Sequence, residues 1–393
     1  MKKILLITNR LVIGGPSRHV AMIANRLQDS YEVLVVGGGA APGETLALDF
    51  FEGLKNKPIL IEELSRKLRL TRDYKVYRKL RKIIHEFQPD IVHTHTSKVG
   101  ALGRMAAKKE GVRAIFHTYH GLIFENYFTG ILNKGLIQID RYLARFTAQM
   151  IVLSVQQKNS LVDTYKICSA DKISLIPLAI DIKTDSKLRK KSRDYYGLKD
   201  SEVFIGVVGR LVKIKNLGLF LKGVNYLMDK GLNNFRVLLV GDGDEKENLI
   251  KLCKSLNIPF SEGDAKGFAK KTIIHFASWQ RELAPIYAAL DMVVLTSLSE
   301  GTPMSLMEAQ ITGNAVLASN VGGVSDIVPN GKGLLFDIDE PQSFNDALYN
   351  LVSSAKLRKD ISEQAQDYAL KSYSVDTMMN KLLDVYQMKA DEK

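Results

Sequence analysis

The sequence alternates short apolar segments with longer amphipathic ones, and the alternation runs along nearly the whole chain. Apolar segments in the first half have the composition of buried strands: Ile4–Thr8, Val33–Val36, Ile91–His93, Ala114–His117, Met150–Ser154 and Ile173–Ile176. The second half repeats the pattern at Val203–Val208, Arg236–Val240, Ile273–Phe276, Met292–Thr296, Ala315–Ala318 and Leu334–Phe336. Stretches such as Ser17–Leu27 and Tyr74–Phe87 fit amphipathic helices between them. This alternation predicts parallel sheets covered by helices.

The length of 393 residues suits two domains of ordinary size. We place the boundary between Pro177 and Asp200, where the sequence is polar and basic and lacks a sustained apolar period. The predicted organisation is a first domain over 1–180, a second over 181–373, and a final helical segment over 374–393.

Composition excludes several classes of protein. Hydrophobic residues make up 46% and charged residues 25% of the chain, as in soluble globular proteins. The apolar run after the basic start is too short for a signal peptide, and no stretch approaches the length of a membrane span. Cys168 and Cys253 match no metal-binding spacing, so we expect two buried free thiols. These features predict a cytoplasmic protein.

The net charge of +12 indicates an anionic partner: nucleic acid, acidic lipid or a phosphorylated substrate. Many of the cations lie in the segment Arg66–Lys82, and a second basic run is Lys187–Arg193. Tyr74, Tyr77, Leu80 and Ile84 recur at helical spacing, so the charges of the first segment can be a solvated helix face. Alternatively, this segment and the apolar-aromatic stretch Leu122–Leu132 form a surface for an anionic membrane.

Two glutamates carry the main chemical signal. Seven residues separate Glu300 from Glu308 in the string Ser-Glu-Gly-Thr-Pro-Met-Ser-Leu-Met-Glu-Ala. Glu300 follows a predicted strand, where open α/β sheets bind ligands. Gly301 and Thr302 form the turn, and Pro303 is placed at the start of a helix. We expect Glu308 about two turns along that helix, whose free N–H groups suit phosphate oxygens.

Two cations follow another predicted strand end. Arg210 and Lys215 come after Val203–Val208, and we expect both side chains to be exposed. Cations beside a helix N-terminus and two carboxylates suit a polyhydroxylated diphosphate.

The paired glutamates together with Gly-Arg-Leu at Gly209–Leu211 and Lys215 resemble the family 4 retaining glycosyltransferases of the GT-B fold, over nearly the whole chain. The resemblance implies two doubly wound, Rossmann-like domains facing a cleft, with the final helix crossing back to the first domain. It implies a UDP-sugar donor in the second domain and an acceptor mainly in the first. Within this family, the chain resembles the bacterial glycosyltransferases of cell-surface polysaccharide synthesis.

Site roles follow from the same resemblance. Arg210 and Lys215 stabilise the leaving diphosphate, Glu300 binds sugar hydroxyls, and Glu308 binds the ribose. His120 matches the family's histidine facing the donor sugar. Gly14 and Gly15 match its N-terminal glycine loop, in which Ser17 is a candidate N-cap. The remaining predicted substrate contacts are Gly301, Thr302, Pro303 and Gly241.

No metal or other cofactor is expected. Asp242 and Asp244 superficially offer the Asp-x-Asp of metal-dependent transferases, but the family uses a similar turn beside the nucleotide without a divalent ion. We expect Asp244 to cap the next helix. His93, His95, His117 and His120 cluster near two predicted strand ends, where zinc could be imagined, but no zinc motif or cysteine partner supports it. For His93, His95 and His117 we expect structural hydrogen bonding.

The resemblance therefore implies transfer of a hexosyl or N-acetylhexosaminyl group from a UDP-sugar to a hydroxyl, with retention. The acceptor is a glycan or lipid-linked glycan of cell-surface polysaccharide synthesis, and the enzyme works in the cytoplasm or at the inner face of the membrane. Three alternatives remain. They are a sugar-nucleotide epimerase on the same fold, a nicotinamide-dependent oxidoreductase, which lacks its glycine fingerprint, and a basic nucleic-acid-binding protein, which leaves the glutamates unexplained. We expect no nucleic-acid partner.

Overall fold

The structure is a computed structural model, and it describes residues 1–40, 45–65, 69–126, 130–263, 268 and 272–390. The strands are β1 (Lys3–Arg10), β2 (Glu32–Gly38), β3 (Ile59–Leu60), β4 (Ile91–His95), β5 (Ala114–Thr118), β6 (Gln149–Val152), β7 (Ile173–Leu175), β8 (Val203–Val208), β9 (Phe235–Val240), β10 (Phe260–Glu262), β11 (Ile274–Ala277), β12 (Met292–Leu295), β13 (Ala315–Ser319) and β14 (Leu334–Phe336). The α-helices are α1 (Gly15–Leu27), α2 (Leu70–Phe87), α3 (Ser97–Lys109), α4 (Ile123–Asn126), α5 (Gly130–Ala144), α6 (Val155–Asn159), α7 (Ser186–Tyr195), α8 (Leu217–Asp229), α9 (Lys246–Ser255), α10 (Ala284–Ala289), α11 (Met304–Ile311), α12 (Val324–Ile327), α13 (Pro341–Ser353), α14 (Ala355–Ser372) and α15 (Val375–Ala390).

The chain divides into two compact units. Residues Met1–Ala179 and α15 form the first, and Ile180–Ser374 form the second. Each unit contains one seven-stranded sheet, in the orders β3-β2-β1-β4-β5-β6-β7 and β10-β11-β9-β8-β12-β13-β14. All pairings within these two sheets are parallel. The parallel sheets covered by helices, predicted from the alternation, are confirmed, and so are the two doubly wound domains that the resemblance implies.

The first sheet is covered by helices on both faces, because side chains of a strand alternate between its two sides. Ile4 and Leu6 of β1 pack in a cluster with α1 and α15, which contributes Met378, Leu382 and Tyr386. Leu5 and Ile7 pack instead with the buried faces of α2 and α3. Strands buried on both faces appear in sequence as near-continuous apolar runs, and this is why they were visible there.

Every predicted strand is present, with its ends shifted by at most two residues. Two short edge strands, β3 and β10, were not predicted, since β3 has only two residues, both exposed, and β10 has three. The boundary segment, for which no helix was predicted, contains α7. Its N-terminus is capped by Asp185, whose Oδ1 accepts from Leu188 N at 2.6 Å.

The buried face of α2 differs from the prediction. Asp73, Val76, Leu80 and Ile84 are buried, whereas Tyr74 is 63% exposed. Arg66 and Lys67 of the basic segment, like residues 127–129 of the apolar-aromatic stretch, lie outside the described residues. None of the helices in the described ranges is long and apolar enough to cross a bilayer.

Candidate active site

The carboxyl ends of β8 and β12 lie side by side in the second unit. The chain leaves β8 towards β9 on one side of the sheet, while β12 and β13 lie on the other side. Open α/β sheets bind ligands where the strand order reverses in this way, outside the carboxyl ends. Arg210 and Lys215 follow β8, and Glu300 follows β12. Three predicted site residues therefore belong to one crevice.

Glu300 is held through one of its two carboxylate oxygens. Lys215 Nζ lies 2.5 Å from Glu300 Oε1, and Ser297 Oγ donates to the same oxygen at 2.5 Å. The side chains of Lys215 and Glu300 are only 20% and 13% exposed. Among the described residues, none donates a hydrogen bond to Glu300 Oε2. The protein thus fixes one oxygen, and contact of the other with a ligand hydroxyl stays a prediction.

The position of Lys215 is set by the end of β12. Leu298 N donates to Ile214 O at 2.8 Å, and Thr296 Oγ1 donates to Lys215 O at 3.0 Å. Asn216 has φ 48° and ends the short 3-10 turn Lys213–Lys215 before α8 begins. Because the turn is bound to the strand end, the ammonium group reaches Glu300 without a long flexible loop.

Two glycines allow backbones to meet at this crevice. A Cβ on Gly241 would lie 2.0 Å from Gly209 O, and one on Gly322 would lie 2.0 Å from Glu300 O. Gly323 N also donates to Glu300 O at 3.1 Å. Gly241 therefore has a packing reason to be glycine, and its contact with a substrate stays a prediction.

The acidic turn after β9 does not cap α9 as predicted. The N-cap is Glu245, without a side-chain hydrogen bond. Asp242 Oδ1 accepts from Gly243 N at 2.8 Å. The expected cap by Asp244 is wrong, because the helix begins later than the sequence suggested.

Arg210 and Lys215 differ in environment. Arg210 is exposed, and in the described ranges its guanidinium has no hydrogen bond or ion pair. The expectation that Lys215 is also exposed is wrong, since its pairing with Glu300 holds the stem against the strand end. Arg210 is therefore the cation that a bound anion can recruit without breaking a contact.

The helix after Glu300 begins one residue later than predicted. Pro303 is the N-cap, and α11 starts at Met304. Glu308 is therefore the helix's fifth residue, about one turn along it rather than two. Tyr287 Oη donates to Glu308 Oε2 at 2.7 Å, and Glu308 is 4% exposed.

The turn before α11 keeps groups for a ligand. Gly301 is exposed and has open space around its Cβ position. Thr302 Oγ1 is buried, and no residue in the described part of the chain forms a hydrogen bond with it. Together with the first N–H groups of α11, these atoms suit an oxyanion.

In the first unit, the glycine loop follows β1 and leads into α1. Gly14 is the N-cap in extended conformation, with φ 162° and nothing within 4 Å of its Cβ position, and Gly15 is the first helical residue. Ser17 is not the N-cap predicted from the sequence. It lies inside α1, and its Oγ donates to Arg10 O at 2.9 Å. The open space beside Gly14 agrees with close approach by a ligand.

His19, His95 and His120 gather beyond the carboxyl ends of β1, β4 and β5. His19 is 5% and His95 is 0% exposed, and His120 is partly exposed. His95 Nδ1 and His120 Nε2 are 3.2 Å apart. Burial lowers the pKa of His19 to about 4, and desolvation lowers the pKa of His95 and of His120 well below 6.5. The three rings are therefore neutral near pH 7.

His93 and His117 are built into the core of the first unit. His93 forms hydrogen bonds with Tyr386 Oη at 2.5 Å and Thr118 Oγ1 at 2.7 Å. His117 Nδ1 lies 2.9 Å from Thr94 Oγ1. A Cβ on Gly100 would lie 2.4 Å from the His117 ring, so this ring fills the space beside α3.

Comparison with known proteins agrees with this arrangement. The model of Glycosyltransferase Family 4 matches residues 13–184, and the model of Glycosyl transferases group 1 matches residues 189–368. The chain belongs to the family 4 glycosyltransferases. It is therefore a glycosyltransferase of the GT-B type, with the recognised motifs in both units.

Individual proteins that resemble this chain share less than a third of its residues. An Escherichia coli UDP-Gal:alpha-D-GlcNAc-diphosphoundecaprenol alpha-1,3-galactosyltransferase is 28% identical over 84% of this chain and 83% of its own length. A glycosyltransferase from Rickettsia africae superposes with a TM-score of 0.79 at 18% identity, covering 100% of both chains. Anabaena HepE, solved in complex with UDP and glucose, gives 0.79 at 19% identity over 98% of this chain and 100% of its own. At these identities the solved structures support the fold alone.

Sequence reasoning missed residues that support this glycosyltransferase's predicted site. Ser297, Tyr287 and Gly322 received no role, although they contact Glu300 or Glu308. A polar residue directly after a buried strand could have indicated Ser297. Tyr287 lies 21 residues before Glu308, and nothing local connects the two.

A cavity of about 450 Å³ lies elsewhere in the second unit of this family 4 enzyme. Its lining includes Asp291 and Asn314, which directly precede β12 and β13. Arg189 also lines the cavity, and its Nη2 donates to Asp291 Oδ1 at 2.6 Å, so the charge of Arg189 is already paired with that of Asp291. The cavity is thus at the amino ends of the strands, and we assign it no donor-binding role.

Proposed function

We propose that this glycosyltransferase moves a hexosyl or N-acetylhexosaminyl group from a UDP-sugar to a hydroxyl of a lipid-linked glycan, with retention of anomeric configuration. The observation that carries the proposal is the shared oxygen of Glu300, bound by Lys215 and Ser297 where the strand order reverses. This contact places a fixed carboxylate and a cation in one crevice. A nucleotide-sugar needs both, the carboxylate for its sugar hydroxyls and the cation for its diphosphate.

The donor is proposed to bind to the second unit. The diphosphate meets Arg210, Lys215 and the N–H groups at the start of α11, which together stabilise the charge of the leaving group. Glu300 binds sugar hydroxyls through Oε2 and supports positive charge at the anomeric carbon. Glu308, oriented by Tyr287, accepts from the ribose hydroxyls.

The chemical step exchanges one bond at the anomeric carbon. The bond to the phosphate oxygen breaks, the bond to the acceptor oxygen forms on the same face, and the acceptor's proton passes to the leaving phosphate. The products are UDP and the glycosylated acceptor. No residue is assigned as a covalent nucleophile, and no metal is required, because the two cations and the helix N-terminus stabilise the diphosphate.

The first unit is proposed to bind the acceptor. The E. coli relative is named for a GlcNAc-diphosphoundecaprenol acceptor, and this supports a polyprenyl-linked glycan as the substrate class. The open loop at Gly14 and Gly15 and the partly exposed His120 are the proposed contacts of this unit.

An anionic membrane surface is the proposed location of the acceptor. On α2, Arg72, Lys75 and Arg78 are exposed, and no ion-pair partner is present for them in the described ranges. Leu70, 90% exposed, and Tyr74 are on the same helix. Cations beside apolar side chains suit a helix lying at a lipid interface.

The apolar-aromatic stretch divides in two. Leu122 and Phe124 are buried, with only 5% and 2% of their surface exposed, so they belong to the core of the first unit. Ile131 and Leu132 at the start of α5 are 89% and 51% exposed. Among the described side chains of this stretch, Ile131 and Leu132 are therefore the ones proposed to contribute to a lipid-facing surface.

The deciding experiment is a transfer assay with a panel of UDP-sugars and a polyprenyl-diphosphate-linked acceptor, run with and without excess chelator. We expect one donor to give product with the anomeric configuration of the donor, measured by proton NMR, at equal rates in both arms. Inverted product contradicts retention. Loss of activity in chelator, restored by Mg²⁺ or Mn²⁺, contradicts metal independence. Epimerised donor without transfer favours the epimerase alternative.

A further inference from the structure

The three histidines beyond the ends of β1, β4 and β5 come from separate parts of the chain and point at one another. One nitrogen from each of His19, His95 and His120 can be chosen so that all lie within 4.8 Å of one another. The ring centroids are 5.9 Å apart for His19 and His95, 5.2 Å for His19 and His120, and 5.4 Å for His95 and His120. No carboxylate or thiolate of the described residues belongs to the group.

Two of these rings contain buried nitrogens without a partner. His19 Nδ1 and His95 Nε2 are inaccessible to solvent, and in the described part of the chain nothing forms a hydrogen bond with either. An unsatisfied buried polar atom is unfavourable, and such atoms in native proteins usually have a role or a missing ligand. Here both belong to imidazoles facing a third.

We propose that His19, His95 and His120 form a binding site for a single Zn²⁺-class ion. Imidazole is a preferred ligand of Zn²⁺, Co²⁺ and Ni²⁺, whereas Mg²⁺ and Ca²⁺ require oxygen ligands. Zinc–nitrogen bonds of about 2.0–2.1 Å place tetrahedral ligand atoms about 3.3–3.4 Å apart. His95 offers one ligand atom to a single ion, and its Nδ1, 3.2 Å from His120 Nε2, already has this spacing. The unpartnered His95 Nε2 is then not a ligand, and His19 Nδ1 is the unpartnered nitrogen that can bind the ion.

The site has an entry and an open position. His19 and His95 are buried, and the partly exposed His120 gives an ion access from solvent. Three protein ligands leave the fourth tetrahedral position for water or another small ligand.

The proposed consequence is reversible inhibition, and this part depends on the proposed function. A bound ion occupies His120, which is then unable to contact a substrate. Zinc should therefore reduce transfer, and a chelator should restore it, although the reaction itself needs no metal.

The test is isothermal titration of the metal-free, full-length protein with Zn²⁺. We expect one ion per chain, and His19→Ala and His95→Ala should each weaken binding by at least about a hundredfold, since loss of even an outer partner costs about 10- to 100-fold. His85→Ala is the matched control, because His85 is in the same unit and its side chain is 75% exposed. Absence of binding, or equal affinity in all variants, overturns the site.

Folding and activity are measured separately. Circular dichroism and a thermal melt show whether each variant is folded, and His19→Gln and His95→Gln replace any alanine variant that is not. X-ray absorption of the zinc complex must show nitrogen ligands from imidazole, and a spectrum without them overturns the assignment. Zinc that binds to these residues without lowering transfer supports the metal site and contradicts only the proposed role of His120.

Discussion

Tyr287 donates its hydroxyl to Glu308 at 2.7 Å, and the two side chains are 1% and 4% exposed. Tyr287 belongs to α10 and Glu308 to α11, so the contact joins the helix that precedes β12 in the chain to the helix that follows it. The Tyr287 hydroxyl therefore helps to fix the orientation of the buried Glu308 carboxylate, which we expect to contact the ribose.

We expect Tyr287→Phe to weaken UDP binding by about tenfold, because one hydrogen bond to a charged group contributes about 1.5 kcal/mol or more. Calorimetry with UDP measures the effect. Tyr226→Phe, a change at a partly exposed tyrosine of α8, should leave affinity unchanged. If Tyr287→Phe lowers the stability of the fold but leaves UDP affinity normal, the hydroxyl has only a structural role.

The two glutamates should separate binding from transfer. Glu308→Ala is expected mainly to reduce UDP affinity, and Glu300→Ala mainly to reduce turnover, because Glu300 Oε2 is the atom open to the sugar. Calorimetry with UDP and a transfer assay with the complete donor distinguish them. An equal loss of UDP affinity in both variants contradicts this division of roles.

The cations should act on the diphosphate leaving group. Arg210→Ala and Lys215→Ala are each expected to lower turnover by about 10- to 1000-fold, the range for loss of one transition-state charge contact. Lys213→Ala is the control, because Lys213 is exposed in the same short turn. Near-normal turnover by both Arg210→Ala and Lys215→Ala would remove the pair from catalysis.

The buried histidines should make stability fall in acid. Burial lowers the pKa of His93 from 6.5 to about 3. Between these values the unfolded chain binds a proton that the folded chain does not, so stability is complete above pH 6.5 and decreases as pH falls towards 3. Each unit of difference corresponds to about 1.4 kcal/mol. Urea unfolding at several pH values tests this.

For that test, His93→Gln should flatten the acid dependence relative to wild type, because the glutamine side chain has no ring to protonate. An identical pH profile in wild type and His93→Gln would show that other groups cause the acid sensitivity.

Membrane attachment should depend on the unpaired cations of α2. Changing Arg72, Lys75 and Arg78 to glutamine is expected to abolish most co-sedimentation with anionic vesicles at low salt, since each cation contributes about 1 kcal/mol. The control removes the same charge from α7, by changing exposed Lys187, Lys190 and Lys191. If both triple variants lose vesicle binding equally, the binding depends on net charge alone. If the wild-type protein stays in the supernatant, the membrane proposal is wrong.

The sequence determined the fold class and the chemical character of the site. Doubly buried parallel strands appear as unbroken apolar runs, so Val203–Val208 was located to the residue. Glu300, Arg210 and Lys215 could be placed at strand ends for the same reason. The sequence did not reveal α7, because this helix is strongly polar and has few apolar residues. Its structure is held by the Asp185 cap and by Arg189 and Arg193 contacting Asp291.

Only the tertiary structure decided which side chains meet. Lys215 and Glu300 are 85 residues apart in sequence, and their contact exists because β8 and β12 are neighbours across the reversal of strand order. His19, His95 and His120 converge for the same reason in the first sheet, where β1, β4 and β5 are adjacent. A local pattern records the period of a strand and the residue that ends it. Distances between strand ends are set by the order in which the strands pair, and no local segment of sequence contains that order.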